Sequence, residues 1–252
     1  MLAIERRNQI LARLQQEGKV VVSDLSQHYH VTEETIRRDL EKLEQEGFAK
    51  KTYGGAVLKE SLYAEVPYNV RKLTHIEGKK HIADLVEDLV EDGDRIMLDA
   101  SSTAMFIVKK LKSKKNLTII TNSVEIIIEL ADKADFTVLS TGGTLKEGAL
   151  SFIGYHAEQM IRSFHVDKAF ISCKGIDKEH GLTDSNEMDV QIKKAILEAS
   201  KQKILVIDQS KFDKTSFVNI VDFAEVDMVI TDKEPSESWK QAFSKANVEV
   251  RY

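Results

Sequence analysis

The chain has 252 residues, 42% of them hydrophobic, which is enough for two compact domains with substantial cores. Its net charge of −5 excludes a broadly basic surface, and basic and acidic side chains balance over the first sixty residues; nucleic-acid contact would need local placement of charge. No apolar run is long enough to span a membrane, the charged start lacks the apolar core of a signal peptide, and the single cysteine excludes an internal disulfide, which together predict a cytoplasmic protein.

The first predicted helix covers residues 3–16, with Ile10, Leu11 and Leu14 on one face, and ends at Gly18. Lys19 to Val22 reads as a short strand. Ser23 is placed to cap a second helix reaching Tyr29. After a turn at His30 and Val31, Thr32 caps a third helix, with Glu33 and Glu34 suited to its positive end. Ile36, Leu40 and Leu43 fall at i, i+4 and i+7 and face a core, while Thr35, Arg37 and Arg38 project away. Gly47 stops this helix, and residues 48–57, with a Gly54-Gly55 turn, read as a hairpin wing.

Two short helices about a tight turn present one exposed face to a major groove. On that reading Arg37 and Arg38 read guanine edges or hold phosphates, and Lys50 and Lys51 on the wing meet the backbone alongside. The alternatives are that Arg37, Arg38 and Asp39 form a solvated ion-pair face, or that this surface contacts a protein.

We place a winged helix-turn-helix at residues 1–58, a connector at 59–75 and an α/β domain at 76–252. The connector contains Pro67, and Leu62, Tyr63, Val66 and Tyr68 suggest that it packs on something. Beyond it, residues 78–91 carry a helical stripe of Ile82, Leu85, Val86, Leu89 and Val90. Strands are predicted at 95–99, 117–121, 136–140, 168–173, 203–207 and 227–231, and helices at 103–112, 122–132, 154–163 and 187–200. This alternation predicts a mostly parallel sheet covered on both faces.

Five of these strands end in small, polar or glycine-rich turns: Asp99 to Thr103, Thr121 to Ser123, Ser140 to Thr144, Cys173 to Gly175 and Asp208 to Lys211. In parallel α/β sheets the carboxyl ends of strands are where ligands bind. Hydroxyls and N–H groups at Ser101, Ser102, Thr103, Thr121 and Ser123, with the turn glycines Gly142, Gly143 and Gly175, suit a phosphate. Lys174 and Lys211 add positive charge, Asp99, Asn122 and Glu187 suit sugar hydroxyls, and Asp208 completes the expected effector-binding set. Taken singly, each of these residues is ordinary loop chemistry. The seven histidines show no metal-ligand spacing, and neither a metal nor a cofactor is expected.

Val31-Thr-Glu-Glu-Thr-Ile-Arg-Arg-Asp-Leu, followed by Leu43, Gly47 and Tyr53-Gly54-Gly55-Ala56, resembles the signature of the DeoR family of bacterial repressors. The likeness continues through Thr121-Asn122-Ser123, Gly142-Gly143, Gly181-Leu182-Thr183 and Asp208-x-Ser210-Lys211-Phe212. It implies DNA contacts from Arg6, Ser23, Thr32, Thr35, Arg37, Arg38, Lys50, Lys51 and Tyr53. It also implies a sensor domain similar in fold to ribose-5-phosphate isomerase and coenzyme A transferases, holding a phosphorylated sugar in a homo-oligomer, dimer or tetramer, on an operator. Where the family usually has a glycine, this chain has Ser101, so the loop is expected to hold phosphate more through hydroxyls or to favour a different effector. A sugar-phosphate isomerase with an accessory DNA-binding domain is the alternative; the resemblance favours a regulator that is not an enzyme.

Overall fold

The computed structural model describes residues 1–59 and 66–252, and the chain forms two units, Met1–Ile76 and Glu77–Tyr252. In the first, α1 (Ala3–Glu17) is followed by β1 (Lys19–Val21), α2 (Val22–Tyr29), α3 (Glu33–Gln45), β2 (Ala49–Thr52), β3 (Gly55–Leu58) and α4 (Tyr68–Arg71). The predicted wing is the antiparallel β2–β3 hairpin, and β1 pairs on its other side to give the order β1-β3-β2. Ile10, Leu11 and Leu14 of α1 meet Leu25, Ile36, Leu40 and Leu43 in one core. Val70 is fully buried in that core, so the described part of the connector packs within the first unit, while Leu62 and Tyr63 lie outside the described residues.

Two expectations for this unit are corrected. Ser23 does not cap α2: the helix starts two residues earlier than that cap would allow, Val21 is the capping position with no side-chain bond, and the Ser23 hydroxyl donates to Asp24. Asp39 is not part of a solvated face; it is buried, and its Oδ2 accepts a hydrogen bond from Arg6 Nε at 2.6 Å.

The second unit runs α5 (Ile76–Glu87), β4 (Arg95–Leu98), α6 (Ser102–Leu111), β5 (Thr118–Thr121), α7 (Val124–Leu130) and β6 (Thr137–Ser140). A hairpin of β7 (Thr144–Lys146) and β8 (Ser151–Ile153) precedes α8 (Tyr155–Arg162) and β9 (Val166–Ile171). Then come β10 (Gly175–Asp177), β11 (Gly181–Asp184), α9 (Glu187–Glu198), β12 (Ser200–Val206), β13 (Val218–Val221), β14 (Met228–Ile230), α10 (Glu237–Lys245) and β15 (Glu249–Arg251). Seven strands form a parallel sheet in the order β15-β14-β12-β9-β4-β5-β6, and β10, β11 and β13 form a separate antiparallel sheet.

Alternation along the strands supplies both faces of the sheet. Ile96, Leu98, Ile119, Phe170, Ile204 and Val206 pack with α5, α6 and α7, while Met97, Ile120, Ala169, Ile171 and Leu205 pack with α8, α9 and α10. Burial on both sides explains why these strands read as continuous apolar runs rather than alternating ones. The order also holds a reversal. The chain builds outward from β4 through β5 to β6, returns to place β9 on the other side of β4, and then builds the opposite way. Among the described residues no helix is long and apolar enough to cross a membrane.

Candidate functional site

The third helix of the first unit carries the exposed face anticipated from its spacing. Thr32 caps it, accepting from Thr35 N at 3.3 Å, and the two hydroxyls lie 2.9 Å apart. Arg37 and Arg38 are exposed, each in an i, i+4 ion pair, with Glu33 at 2.6 Å and Glu34 at 3.3 Å. Such exposed pairs contribute a few tenths of a kcal/mol, so neither holds its guanidinium group tightly. Lys50 and Lys51 are exposed on β2, and Tyr53 stands fully exposed at the hairpin tip. Arg6 does not belong with this face. It is 8% exposed and paired with Asp39, which Arg7 also approaches at 3.8 Å, so it ties α1 to α3 instead of meeting DNA.

In the second unit the polar strand ends lie along the carboxyl edge of the parallel sheet, where such sheets bind ligands, and those of β4, β5 and β9 are tied together beside the reversal between β4 and β9. Asp99, at the end of β4, is almost fully buried. Its Oδ1 accepts from Ser101 N at 3.0 Å, and its Oδ2 accepts from Ser172 N, just beyond β9, at 2.9 Å. Ser101 caps α6, accepting from Ala104 N at 3.1 Å, and Ser102 and Thr103 open that helix from buried positions. The backbone at Ser101 is extended, φ −78°, so this turn needs no positive φ and serine occupies it without strain.

The turns after β5 and β6 are joined to this one. Thr121 Oγ1 donates to Leu98 O at 2.8 Å and accepts from Ser123 N at 3.1 Å, while Ser123 caps α7. Asn122 Nδ2 donates to Phe152 O at 3.0 Å. Gly142 and Gly143 both have positive φ, and a Cβ at Gly143 would stand 2.7 Å from Ile153 O, so only glycine lets this turn approach β8.

Lys174 is half-buried beside β11, its N–H donating to Thr183 O at 3.0 Å. Gly175 serves packing: a Cβ there would lie 2.2 Å from Lys214 O. Asp208 caps the turn Gln209–Lys211, accepting from Ser210 N at 3.0 Å, and Lys211 is half-buried at its end. Glu187 opens α9 in an exposed position.

Sequence reasoning missed the charged centre of the site. Lys193, in the middle of α9, donates to Ser172 O at 2.7 Å, forms a close ion pair with Asp184 and lies 3.7 Å from Asp99. Burial alone would raise the Asp184 carboxyl, but the Lys193 and Lys174 ammonium groups outweigh it and bring its pKa down to about 2. Burial likewise opposes the Lys193 charge, yet Asp184 and Asp99 hold its pKa above the ordinary lysine range. The adjacent Cys173 thiol is pushed up to about 12 by burial, so it is a neutral wall of the site. Asp184 ends β11, a four-residue strand of the antiparallel sheet that carries too little pattern to be read from the sequence. A lysine in mid-helix carries no signal either, because most are solvated.

Family profiles match both parts of the chain: the DeoR-like helix-turn-helix domain at residues 6–62 and the DeoR C terminal sensor domain at residues 74–233. The HTH-type transcriptional regulator YulB of Bacillus subtilis is 42% identical over 99% of this chain and 96% of its own length. The HTH-type transcriptional regulator GolR of Listeria innocua is 34% identical over 100% and 99%, and the glycerol-3-phosphate regulon repressor of Escherichia coli 31% over 99% and 99%. A solved D-ribose-5-phosphate isomerase shares 18% identity over 54% of each chain, with a TM-score of 0.41.

Proposed function

This chain belongs to the DeoR family of transcription regulators and binds DNA, and we propose that it represses a carbohydrate-metabolism operon under the control of a phosphorylated sugar. The observation that carries the control is the gathering of Asp99, Ser101, Thr121, Asn122, Ser172 and Lys193 where the winding of the sheet reverses. The first turn of α6 offers backbone N–H groups and the Ser102 and Thr103 hydroxyls to phosphate, with Lys174 and Lys211 supplying charge. The name of the E. coli relative supports a phosphate ester as the ligand.

The site binds without turning its ligand over. Both oxygens of Asp99 accept backbone N–H bonds and Oδ2 lies near Lys193, an arrangement that holds a carboxylate in place rather than freeing it to move protons. In the cytoplasm the protein acts as a homo-oligomer, because paired winged helices read half-sites about 34–36 Å apart. The ligand shifts the population of DNA-competent protein by binding one state better than the other.

The test is fluorescence anisotropy with DNA from upstream of its own gene, titrated with salt and with sugar phosphates. Wild type binds specifically and weakens with salt, and one sugar phosphate releases it. The double variant Arg37→Ala/Arg38→Ala stays folded, binds more weakly and has a salt slope lower by about 2 if both residues hold phosphates. Unchanged affinity in the folded double variant removes α3 from the interface. Product detected by NMR from ribose 5-phosphate would convert the reading to an enzyme.

A further inference from the structure

Two buried polar atoms at the edge of this site have no partner: Oδ1 of Asn122 and Oγ of Ser151. Their residues are 3% and 1% exposed. The sequence marked no role for Ser151, which lies in β8 and outside every strand-end turn. In the fold it stands directly opposite Ser123 in an isolated antiparallel bridge. The bridge is held by Phe152 N donating to Asn122 O at 2.8 Å and Val124 N donating to Leu150 O at 2.9 Å. Because Asn122 Nδ2 already donates to Phe152 O, the orientation of its amide is set, and the end left over is the acceptor.

Burying a polar atom without a partner is unfavourable, and native proteins rarely keep such an atom without a use. Here two sit on adjoining segments, beside turns in which Asp99, Thr121 and Ser123 are engaged with backbone groups. Asn122 Oδ1 can only accept, so it calls for a ligand O–H. The Ser151 hydroxyl both gives and takes, as a sugar hydroxyl does. A carboxylate or phosphate oxygen in front of Asn122 Oδ1 would meet lone pairs with lone pairs. We infer that Asn122 and Ser151 read hydroxyl groups of the ligand, so the site takes a polyol phosphate and discriminates against phosphorylated acids that lack a hydroxyl there. This rests on the reading that the strand ends bind a phosphorylated sugar, and it names Ser151 as a residue that sets specificity.

The test uses the full chain, wild type and Ser151→Ala, with thermal unfolding followed by calorimetric titration. The probes are glycerol 3-phosphate, ribose 5-phosphate, glucose 6-phosphate and fructose 1-phosphate, against phosphoglycolate and methyl phosphate, which carry no alcohol. Wild type is expected to prefer a polyol phosphate over both controls. Ser151→Ala should bind that ester about 5- to 10-fold more weakly, the value of one neutral hydrogen bond, with unchanged affinity for methyl phosphate. The unliganded variant should be at least as stable as wild type, since its Oγ gives up no bond.

A clear drop in stability of unliganded Ser151→Ala would make the residue structural and overturn the inference. Equal binding of the polyol ester by both proteins would overturn it too, while leaving the phosphate reading intact. Wild type that binds none of the phosphate esters would remove that reading, and this one with it.

Discussion

Asp39 follows directly on the two exposed arginines of α3, yet its carboxylate is buried against Arg6. Removing it strands a guanidinium inside the first core. Asp39→Ala is expected to cost roughly 3–5 kcal/mol in urea unfolding, whereas replacing both partners by apolar residues recovers most of that loss. The signal for this pair was present in the spacing. Arg6 lies four residues before Ile10, and Asp39 three after Ile36 and four before Leu43, so both fall on apolar stripes. Lys193 plays a comparable part in the other unit, where its removal takes an ammonium group away from Asp99 and Asp184. Because the folded pKa of Asp184 lies near 2, below the ordinary carboxylate value of about 4, its stabilising contribution is present above pH 4 and is lost as pH falls through 2. Lys193→Met should therefore destabilise most at neutral pH, and its deficit against wild type should shrink on acidification from pH 4 to 2. A deficit that stayed constant over that range would mean the loss is one of packing.

At the level of elements, α3 shows what spacing and capping chemistry can specify: the cap at Thr32, the start at Glu33 and the buried Ile36, Leu40 and Leu43 all follow from local rules. Thr32→Ala should cost about 1 kcal/mol, visible as a lower melting midpoint, and should fray the first turn that positions Thr35 and Arg37. Six of the seven strands of the parallel sheet were legible for a related reason, since buried strands write themselves as apolar runs, whereas Glu249-Val-Arg of β15 is too short and polar to show one. The β7–β8 hairpin and the β10-β11-β13 sheet were not. Their strands are three or four residues long, and Thr144-Leu-Lys or Gly175-Ile-Asp has too little pattern to show a period. That is also why Ser151 was invisible: its importance comes from lying opposite Ser123, a pairing made only by the fold.

On the scale of the whole molecule, the two units have separate cores, one formed by α1 to β3 and the described connector, the other by the two faces of the large sheet. Scanning calorimetry should resolve two transitions. A sugar phosphate at one hundred times its Kd adds about 2.7 kcal/mol to the unit that binds it, which raises that midpoint by roughly 5–10 °C. Movement of only the first unit's transition would place the ligand outside the strand-end site. Strand–helix alternation announced the class of the second unit, but the order of strands in its sheet depends on which crossover turns back, and no stretch of sequence records that.

The turning back leaves one seam in the sheet. β4 and β9 are joined through three residue pairs, against five between β9 and β12, and they connect two halves wound in opposite directions. Asp99 extends that short ladder with a side chain, clasping Ser172 across the gap like a stitch at the end of a hem. The groups that hold the two halves together are thus among those proposed to bind the ligand. On that proposal a ligand loads the seam that joins both halves of the sheet.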